Sequence, residues 1–450
     1  MATPVTAIFD IGKTNKKFYL FDRDLNELHH AYQKFPLIED DDGFPCDDLD
    51  AITTWIKETV DELVSSTKYN LVAVNFSTYG ATLVHLGEDG KPVTPLYNYL
   101  KPFPDDASKR FANKYGRESN DVETASPFLG MLNSGLQLYW LKYYKPEFYK
   151  KVKTTLHFPQ YLSYIFTGKL VSEPTSIGCH TKLWDFEKNR YHSWLEEEEM
   201  LDLFPEVVPT TTSYQVKIGD KNITVGVGIH DSSSALASYQ LRIKEPFLLI
   251  STGTWSICLN PFVKDPLTTD DLKLECLYFL SITGDHVKSS RLFLGNELDH
   301  QLKSLNKLFN TDPSYYKNVK LNRSFLQAIE EGVIDNSFYP STIENVALIK
   351  SVVKNNRWDP SSFTSFDEAY HHVIWGFVLL QVAAIRLAAG TTRFRKIFVD
   401  GGFIENDIYI KLLRHYLPEY DLQVSDQPLG SSLGAALVLG NDRAKTLAVA

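Results

Sequence analysis

Several things are scarce or absent in this chain, and each shortage removes a class of function. Only 4 of its 450 residues are cysteine. They stand far apart at Cys46, Cys179, Cys258 and Cys276 with no C-x-x-C pair, so neither a zinc site nor a disulfide framework is indicated, and a reducing cytoplasm is the expected setting. Excess positive charge is missing too. The formal net charge is -10, which argues against nucleic acid or an anionic membrane as partner, because both demand a basic surface. The longest apolar run, Val373 to Ala389, is interrupted by Gln381 and Arg386 and closed by Gly390, as in a buried core helix rather than a membrane span. MATPVTAIFDIG at the N-terminus lacks the basic and apolar regions of a secretory leader, so none is expected. No G-x-x-x-x-G-K-S/T and no G-x-G-x-x-G after the first strand occurs, so Walker-type and Rossmann nucleotide sites drop out.

What is present is ordinary globular composition, 43% hydrophobic and 23% charged, in a chain too long for one core of about 250–300 residues. Two domains are expected. AIFDIGKTNKKFYLFD (Ala7 to Asp22) and FLLISTGTWSICLN (Phe247 to Asn260) share one pattern, an apolar run, a small Gly-Thr turn and a second apolar run, which reads as a β-hairpin. Aligned, Gly12 falls on Gly253, so the chain looks duplicated with a period of about 240 residues. A helix near Asp47 to Ser66 and a strand Leu71 to Thr78 follow the first hairpin; a helix from Asp367 to Ala389 precedes a strand Lys396 to Gly402 in the second half. This order predicts an α/β protein of two domains, 1–243 and 244–450, each a mixed sheet flanked by helices. The acidic stretch Glu39 to Asp50 fails as a calcium loop on ligand spacing and is expected to be a solvated loop ending in a helix N-cap at Asp47. Glu196 to Glu199 reads as an exposed helix face.

Small residues at a hairpin tip let phosphate oxygens approach backbone N–H groups. DIGKTN and STGTW both supply such tips, with Asp10 suited to a magnesium ion and Lys13, Thr14 and Asn15 as donors to phosphate. A third turn, VDGGF (Val399 to Phe403), lies between a strand and a helix starting near Asn406, a nucleotide-binding order. GIHDSSSAL (Gly228 to Leu236) sets His230 and Asp231 ahead of three serines. A hydrolase nucleophile, a metal site and a lone general base all compete there, and no G-x-S-x-G elbow supports the first.

As a set, these residues resemble the FGGY carbohydrate kinases of the actin-like ATPase superfamily. DIGKTN is similar to that family's first phosphate motif, STGTWS to its second, VDGGFIEN to its adenosine motif and LGSSLGAALVLG (Leu429 to Gly440) to its closing helix; FPQYLSYIFTGKLVSEPTS (Phe158 to Ser176) and VGIHDSSSAL resemble the middle of its N-terminal domain. The resemblance implies two actin-like, ribonuclease H-like domains with an interdomain cleft. It implies ATP and Mg2+ as cofactors and a small-molecule sugar as substrate, with a homodimer as an admissible assembly. Asp231 falls on the Asp of the family's G-x-H-D motif and is thereby the general base. Asp10 stands near magnesium, with Asp231 as a second candidate ligand. Gly12, Lys13, Thr14 and Asn15, together with Thr252, Gly253 and Thr254, would hold phosphates; Gly401, Gly402 and Asn406 would face the nucleotide.

The chain departs from the family where the sugar is gripped. Many members have a W-x-D-x-R-like segment; here YNYLK sets Tyr99 and Lys101 where Asp and Arg would stand. Phe403 replaces the third glycine of the adenosine turn and either covers the base or packs inward. NFSTYGATLVHL (Asn75 to Leu86) resembles the T-W-G segment of rhamnulokinases, and HDSSSA and STGTWS resemble their counterparts there and in fuculokinases. That makes Tyr79, Thr82 and His230 sugar-facing candidates and a ketose such as L-rhamnulose or L-fuculose the expected substrate. Tyr79 also reads as a plain core aromatic at a strand end. A xylulokinase-like pentulose kinase and a non-catalytic sugar- or nucleotide-responsive binding protein are the alternatives.

Overall fold

Both hairpins form, and each becomes the antiparallel half of a mixed sheet. The structure is a computed structural model in which residues 2–353, 356–425 and 429–440 are described. The chain divides into two compact units. The first holds Met1–Lys244, Tyr278–His286 and the chain from Gly430 on; the second holds Glu245–Leu277 and Val287–Leu429.

In the first unit, β1 (Thr3–Ile11), β2 (Lys16–Phe21) and β3 (Glu27–Gln33) pair antiparallel in sequence. α1 (Leu49–Val64) then leads to β4 (Tyr69–Thr78), which runs parallel to β1 on its other side. β5 (Ser213–Ile218), β6 (Lys221–Gly226) and the short β7 (Ile229–His230) complete the sheet, and both β6 and β7 lie parallel to β4. Burial explains the composition. β1 is buried from Val5 to Ile11 without a break, as a central strand covered on both faces must be, whereas the edge strand ELHHAYQ of β3 is polar and largely exposed. Phe9 packs on Phe18, Phe76 and the edge of Trp55 of α1, so one aromatic cluster clamps the helix to the sheet. α2 (Asp231–Gln240) begins as soon as β7 ends.

The second unit repeats the plan. β8 (Phe247–Thr252) and β9 (Ser256–Asn260) form the hairpin. β10 (Cys276–Leu280) and β11 (His286–Leu292) extend the sheet beyond β9. After α3 (Phe366–Ala389) comes β12 (Lys396–Gly401), parallel to β8; α4 (Asp407–Tyr416) leads to β13 (Asp421–Val424), parallel to β12. In each unit a central strand therefore has an antiparallel hairpin and its extension on one side and parallel strands on the other. That is the duplication read from the two hairpins. α3 is long and apolar enough to cross a membrane, yet 78% of its most apolar window is buried, and its side chains form the heart of the unit's core. α5 (Gly430–Leu437) belongs to the first unit.

Three surface expectations are corrected. The N-cap of α1 is Asp48, whose side chain accepts from the Ala51 N–H, because the Asp47 carboxylate is already taken by Lys13 and Lys16. The acidic stretch is solvated only in part: Glu39, Asp41 and Asp42 are exposed, but the buried Asp40 carboxylate meets Lys101 Nζ at 2.6 Å, Lys101 also meets Asp42 at 2.6 Å, and Lys145 meets Asp41 at 2.5 Å. Lysines distant in sequence neutralise it. Glu198, in the middle of the four glutamates, is buried and accepts from Lys114 (2.8 Å), Tyr115 (2.6 Å), Lys142 (2.9 Å) and Tyr143 (2.8 Å). Burial by itself raises its pKa, but the four donors outweigh it and draw the carboxyl down to about 2.

Candidate active site

Strand register collects the predicted residues of the first unit. Ile11 of β1 pairs with Thr78 of β4, and His230 of β7 pairs with the same Thr78. Three adjacent parallel strands thus end level with one another. Gly12, Tyr79 and Asp231, each the residue after its strand, emerge at one carboxyl edge, which is where open α/β sheets bind ligands. In the second unit Thr252 of β8 pairs with Gly401 of β12, so Gly253 and Gly402 emerge together in the same way.

Asp231 is held there by a set of polar contacts that its own motif does not reveal. Gly228 just before it has φ +83°, and a Cβ there would meet the Pro159 carbonyl oxygen at 2.5 Å, so only glycine makes the bend. Asn75 Oδ1 accepts the Gly228 N–H at 3.1 Å, and Gln160 Nε2 donates to the Val227 and Gly228 carbonyls at 3.2 Å each. The fully buried Glu173 accepts from Thr175 and Thr210, and Thr175 Oγ1 in turn accepts the His230 N–H at 3.2 Å. Asn75, Gln160 and Glu173 received no role from the sequence. The signal available was a polar residue inside an apolar segment: Asn75 in a strand, Gln160 in a buried helix, Glu173 before a proline turn.

Burial raises the Asp231 pKa to about 6, opposed only in part by the Ser232 N–H and hydroxyl, which bond Oδ1 at 2.6 and 3.1 Å. Asp10 is raised as well, chiefly by burial and to a smaller degree by the negative charge of Asp231; its Oδ2 accepts from Ser431 at 2.8 Å. His230 is pushed down to about 4 by burial and is neutral at physiological pH. Its Nε2 lies 3.3 Å from Asp231 Oδ1.

A second cluster gathers around Asp47. Its carboxylate accepts from Lys13 and Lys16 at 2.6 Å each and from the Tyr79 hydroxyl at 2.9 Å. Burial raises that carboxyl, but the two ammonium groups outweigh it and its pKa lies below the ordinary carboxylate value. Lys13 Nζ also sits 5.3 Å over the Tyr79 ring and 5.5 Å over Tyr99. Lys13, a phosphate donor in the sequence reading, points into this cluster. Tyr79 is buried with its ring on Tyr99 and Phe158, and Thr82 is buried with its hydroxyl toward the Gly80 carbonyl. Asp47 went unnoticed as a site residue because its partners come from two other elements. Thr14 and Asn15 are exposed at the hairpin tip.

In the second unit Thr252 Oγ1 donates to the Asp400 carbonyl at 2.6 Å and accepts the Phe403 N–H at 3.1 Å, tying the two turns together. Gly401 has φ +90°, and a Cβ there would lie 1.8 Å from the Thr252 carbonyl oxygen. Around Gly402, by contrast, a Cβ would meet nothing within 4 Å, and at Gly253 it would meet only the Trp255 carbonyl at 4.0 Å. The Gly402 backbone is open to a ligand, whereas the Gly253 N–H donates to the Trp255 carbonyl at 2.8 Å. The Thr254 carbonyl accepts the Gly295 N–H at 3.1 Å. Asn406 caps α4 through the Tyr409 N–H and donates to the Tyr370 hydroxyl at 2.9 Å. Phe403 takes the inward alternative: it is buried against Tyr409, ring centroids 5.1 Å apart.

The residues fit the expected ligands. Two buried carboxylates whose charges oppose each other suit a hard divalent cation, and uncovered glycine backbone beside hydroxyl-bearing turns suits phosphate. Together, the repeated mixed sheet and the carboxylate at its carboxyl edge define the class, a two-unit α/β protein of the actin-like, ribonuclease H-like kind. Residues 5–236 match the model for the FGGY family of carbohydrate kinases, N-terminal domain, and residues 244–446 match that for the carbohydrate kinase FGGY, C-terminal domain. The chain belongs to the FGGY family of carbohydrate kinases. It is 27% identical over 260 residues to the rhamnulokinase of Halalkalibacterium halodurans, covering 55% of this chain and 52% of that protein. With the rhamnulokinase of Bacteroides thetaiotaomicron it shares 27% over 205 residues, covering 44% and 42%. The chain thus spans about half the length of the curated relatives it matches. Among solved structures it is similar to a carbohydrate kinase from Novosphingobium aromaticivorans (TM-score 0.77, 21% identity, 99% of this chain and 92% of that one). A glycerol kinase of Plasmodium falciparum with ADP is similar in fold as well (TM-score 0.75, 16% identity, 99% and 93%).

Proposed function

We propose that the protein transfers the γ-phosphate of ATP to a hydroxyl of a ketose, with Asp231 as the general base. The observation that carries this reading is a carboxylate with a pKa near 6, held at the carboxyl edge where the Gly12 turn and Asp10 also emerge. A base poised near neutrality takes a hydroxyl proton most effectively, and phosphoryl transfer asks of the protein little beyond positioning, charge neutralisation and that base. Ser232 engages Oδ1 of Asp231, so the sugar hydroxyl delivers its proton to Oδ2. Neutral His230 beside it faces the substrate without adding charge. Asp10 would hold magnesium, which together with ATP would offset the negative charge of the phosphates and leave the Asp231 carboxylate free to take the proton. Backbone N–H groups of Gly12 to Asn15 would orient phosphate in the first unit, and the open Gly402 backbone would face the nucleotide in the second.

For the sugar, a 6-deoxyketohexose such as L-rhamnulose or L-fuculose is favoured over xylulose, ribulose or glycerol. Similarity to rhamnulokinases supports this, as do the aromatic rings of Tyr79, Tyr99 and Phe158, which suit a methyl terminus. Four buried free thiols suit a reducing compartment such as the cytoplasm. Coupled-assay turnover on a panel of ketoses tests the reading. Asp231→Asn is expected to lower kcat on the best sugar by about 10²–10⁴-fold while ATP binding is retained; near wild-type turnover would refute the assignment of the base.

A further inference from the structure

Three side chains that sequence spacing kept apart converge beside Asp231. Cys179 Sγ and one ring nitrogen each of His180 and His230 all lie within 4.8 Å of one another. Gly80 makes the convergence concrete: a Cβ there would come within 3.0 Å of His230 Nε2 and 3.2 Å of Cys179 Sγ, so both atoms border one small volume kept open by the absent side chain. Each imidazole has its other nitrogen engaged. His180 Nδ1 bonds the Leu132 carbonyl at 2.9 Å, and His230 Nδ1 faces Ser233 Oγ at 3.1 Å. With Nδ1–H donated, Nε2 carries the lone pair, which is the arrangement that orients metal-binding histidines.

We propose that Cys179, His180 and His230 form a binding site for a soft divalent cation, zinc(II) foremost, and that its occupation arrests phosphoryl transfer. One thiolate and two imidazoles are a zinc donor set, and they disfavour magnesium, which takes oxygen ligands. In a tetrahedral zinc site the donors stand about 3.3–3.8 Å apart, so donors now within 4.8 Å need to close by about 1.5 Å or less. Asp231 lies outside that group of three, but its Oδ1 is 3.3 Å from His230 Nε2, so by turning toward the ion it becomes the fourth ligand. A carboxylate bound to zinc no longer accepts the sugar proton. Binding balances as loss of the thiol proton to solvent and formation of a Zn–S bond; the Cys179 thiol, pushed up to about 12 by burial, is protonated beforehand. His180 is half-exposed and the Asp231 side chain is 33% exposed, which opens a path for the ion. The other close group, Glu123, Asp185 and His192, is satisfied internally, with His192 Nε2 on Glu123 at 2.7 Å and Asp185 on Lys188 at 2.8 Å.

The arrest rests on the kinase reading, but the binding does not, and the test separates them. The metal-stripped full chain is titrated with cobalt(II) and with zinc(II) against a chromophoric chelator, and magnesium-dependent turnover is measured with and without zinc. Wild type is expected to give thiolate-to-cobalt charge-transfer absorption and to bind zinc at least ~100-fold more tightly than Cys179→Ser. Cys179→Ser should keep basal turnover and lose its sensitivity to zinc; His180→Asn serves if the serine variant does not fold. A cobalt spectrum without thiolate absorption, or equal zinc affinity in wild type and variant, overturns the site. Tight zinc binding with undiminished wild-type turnover overturns the arrest. If no sugar is phosphorylated at all, the kinase reading fails while the cobalt spectrum still decides the site.

Discussion

Asp231, the proposed general base, is a carboxyl group whose burial has opposite effects on activity and stability. As a base it must be ionised, so kcat/KM is expected to fall below pH 6 by about tenfold per pH unit, and a pH–rate profile of the wild type on its best sugar should show that acid limb. A limb centred near the ordinary value of 3.8 would contradict the buried environment. The same shift acts on folding with the reverse sign. A carboxyl raised in the folded state contributes its stability fully below the unfolded value of 3.8 and loses it as the pH rises through about 6. Asp231→Asn removes the cost of the buried charge and should stabilise the protein at pH 8. The full shift corresponds to about 3 kcal/mol, and with the side chain one-third exposed, solvent screening leaves about 1–2 kcal/mol. That gain should shrink between pH 6 and 4. Thermal melts of both proteins across this range measure it, and an inactive variant that melts below wild type at pH 8 would contradict the sign.

At the scale of elements, single atoms decide how closely helices approach and which charges they bury. α5 crosses α2 so tightly that a Cβ on Gly434 would lie 1.7 Å from the Ser234 carbonyl oxygen, while Ser234 Oγ donates to the Ser431 carbonyl. Gly434→Ala must push the helices apart and is expected to cost about 1–3 kcal/mol or more, read from denaturant unfolding. Glu198 joins the helices Asp105–Tyr115 and Ser134–Tyr144 through its four donors. Glu198→Gln leaves two lysines and two tyrosines around a neutral amide and should cost about 3 kcal/mol at pH 7. Because the wild-type carboxyl is depressed, its contribution is present above pH 4.5 and fades as the pH falls toward 2, where the two proteins should converge. An equal difference at both ends of that range would show that Glu198 acts by shape alone.

For the whole molecule, chain order and spatial order part company at the C-terminal end. The last described helix, α5, returns to the first unit, where Asn75 Nδ2 donates to the Ala435 carbonyl at 2.8 Å and Ser431 donates to Asp10. Ending the chain at Leu429 is therefore expected to loosen the first unit selectively. Hydrogen exchange should show lost protection in β1, β4 and α2, with β8 and β12 unaffected. Equal loss in β8 and β12 would contradict the assignment of α5 to the first unit.

How far the chain could be read from its sequence follows from the range of the interactions. Both Gly-Thr hairpins, the parallel strands after them and the core helix Phe366–Ala389 were legible, because turn chemistry and apolar periodicity are local. So was Asp231 as a candidate base, since its motif is contiguous. Asp40 of the acidic loop and Glu198 were misread as solvated because a run of carboxylates looks exposed until partners from distant segments are brought to it. The carboxyl edge needed strand register: nothing local states that Ile11, Thr78 and His230 end side by side. Asn75, Gln160 and Glu173 acquire their positioning role only because the turn before His230 is packed against them. Cysteine spacing argued against a zinc site, and for local sites it was sound; the Cys179, His180 and His230 set arises across some fifty residues of chain. Residue type, periodicity and turn chemistry thus determined the elements and the duplication by themselves, as short-range properties of the chain, and a contiguous motif pointed to Asp231 as the proposed base. Which carboxylate is neutralised, which is left with a raised pKa and which donors meet at one point depend on desolvation and on contacts between distant segments, and only the tertiary structure decided them.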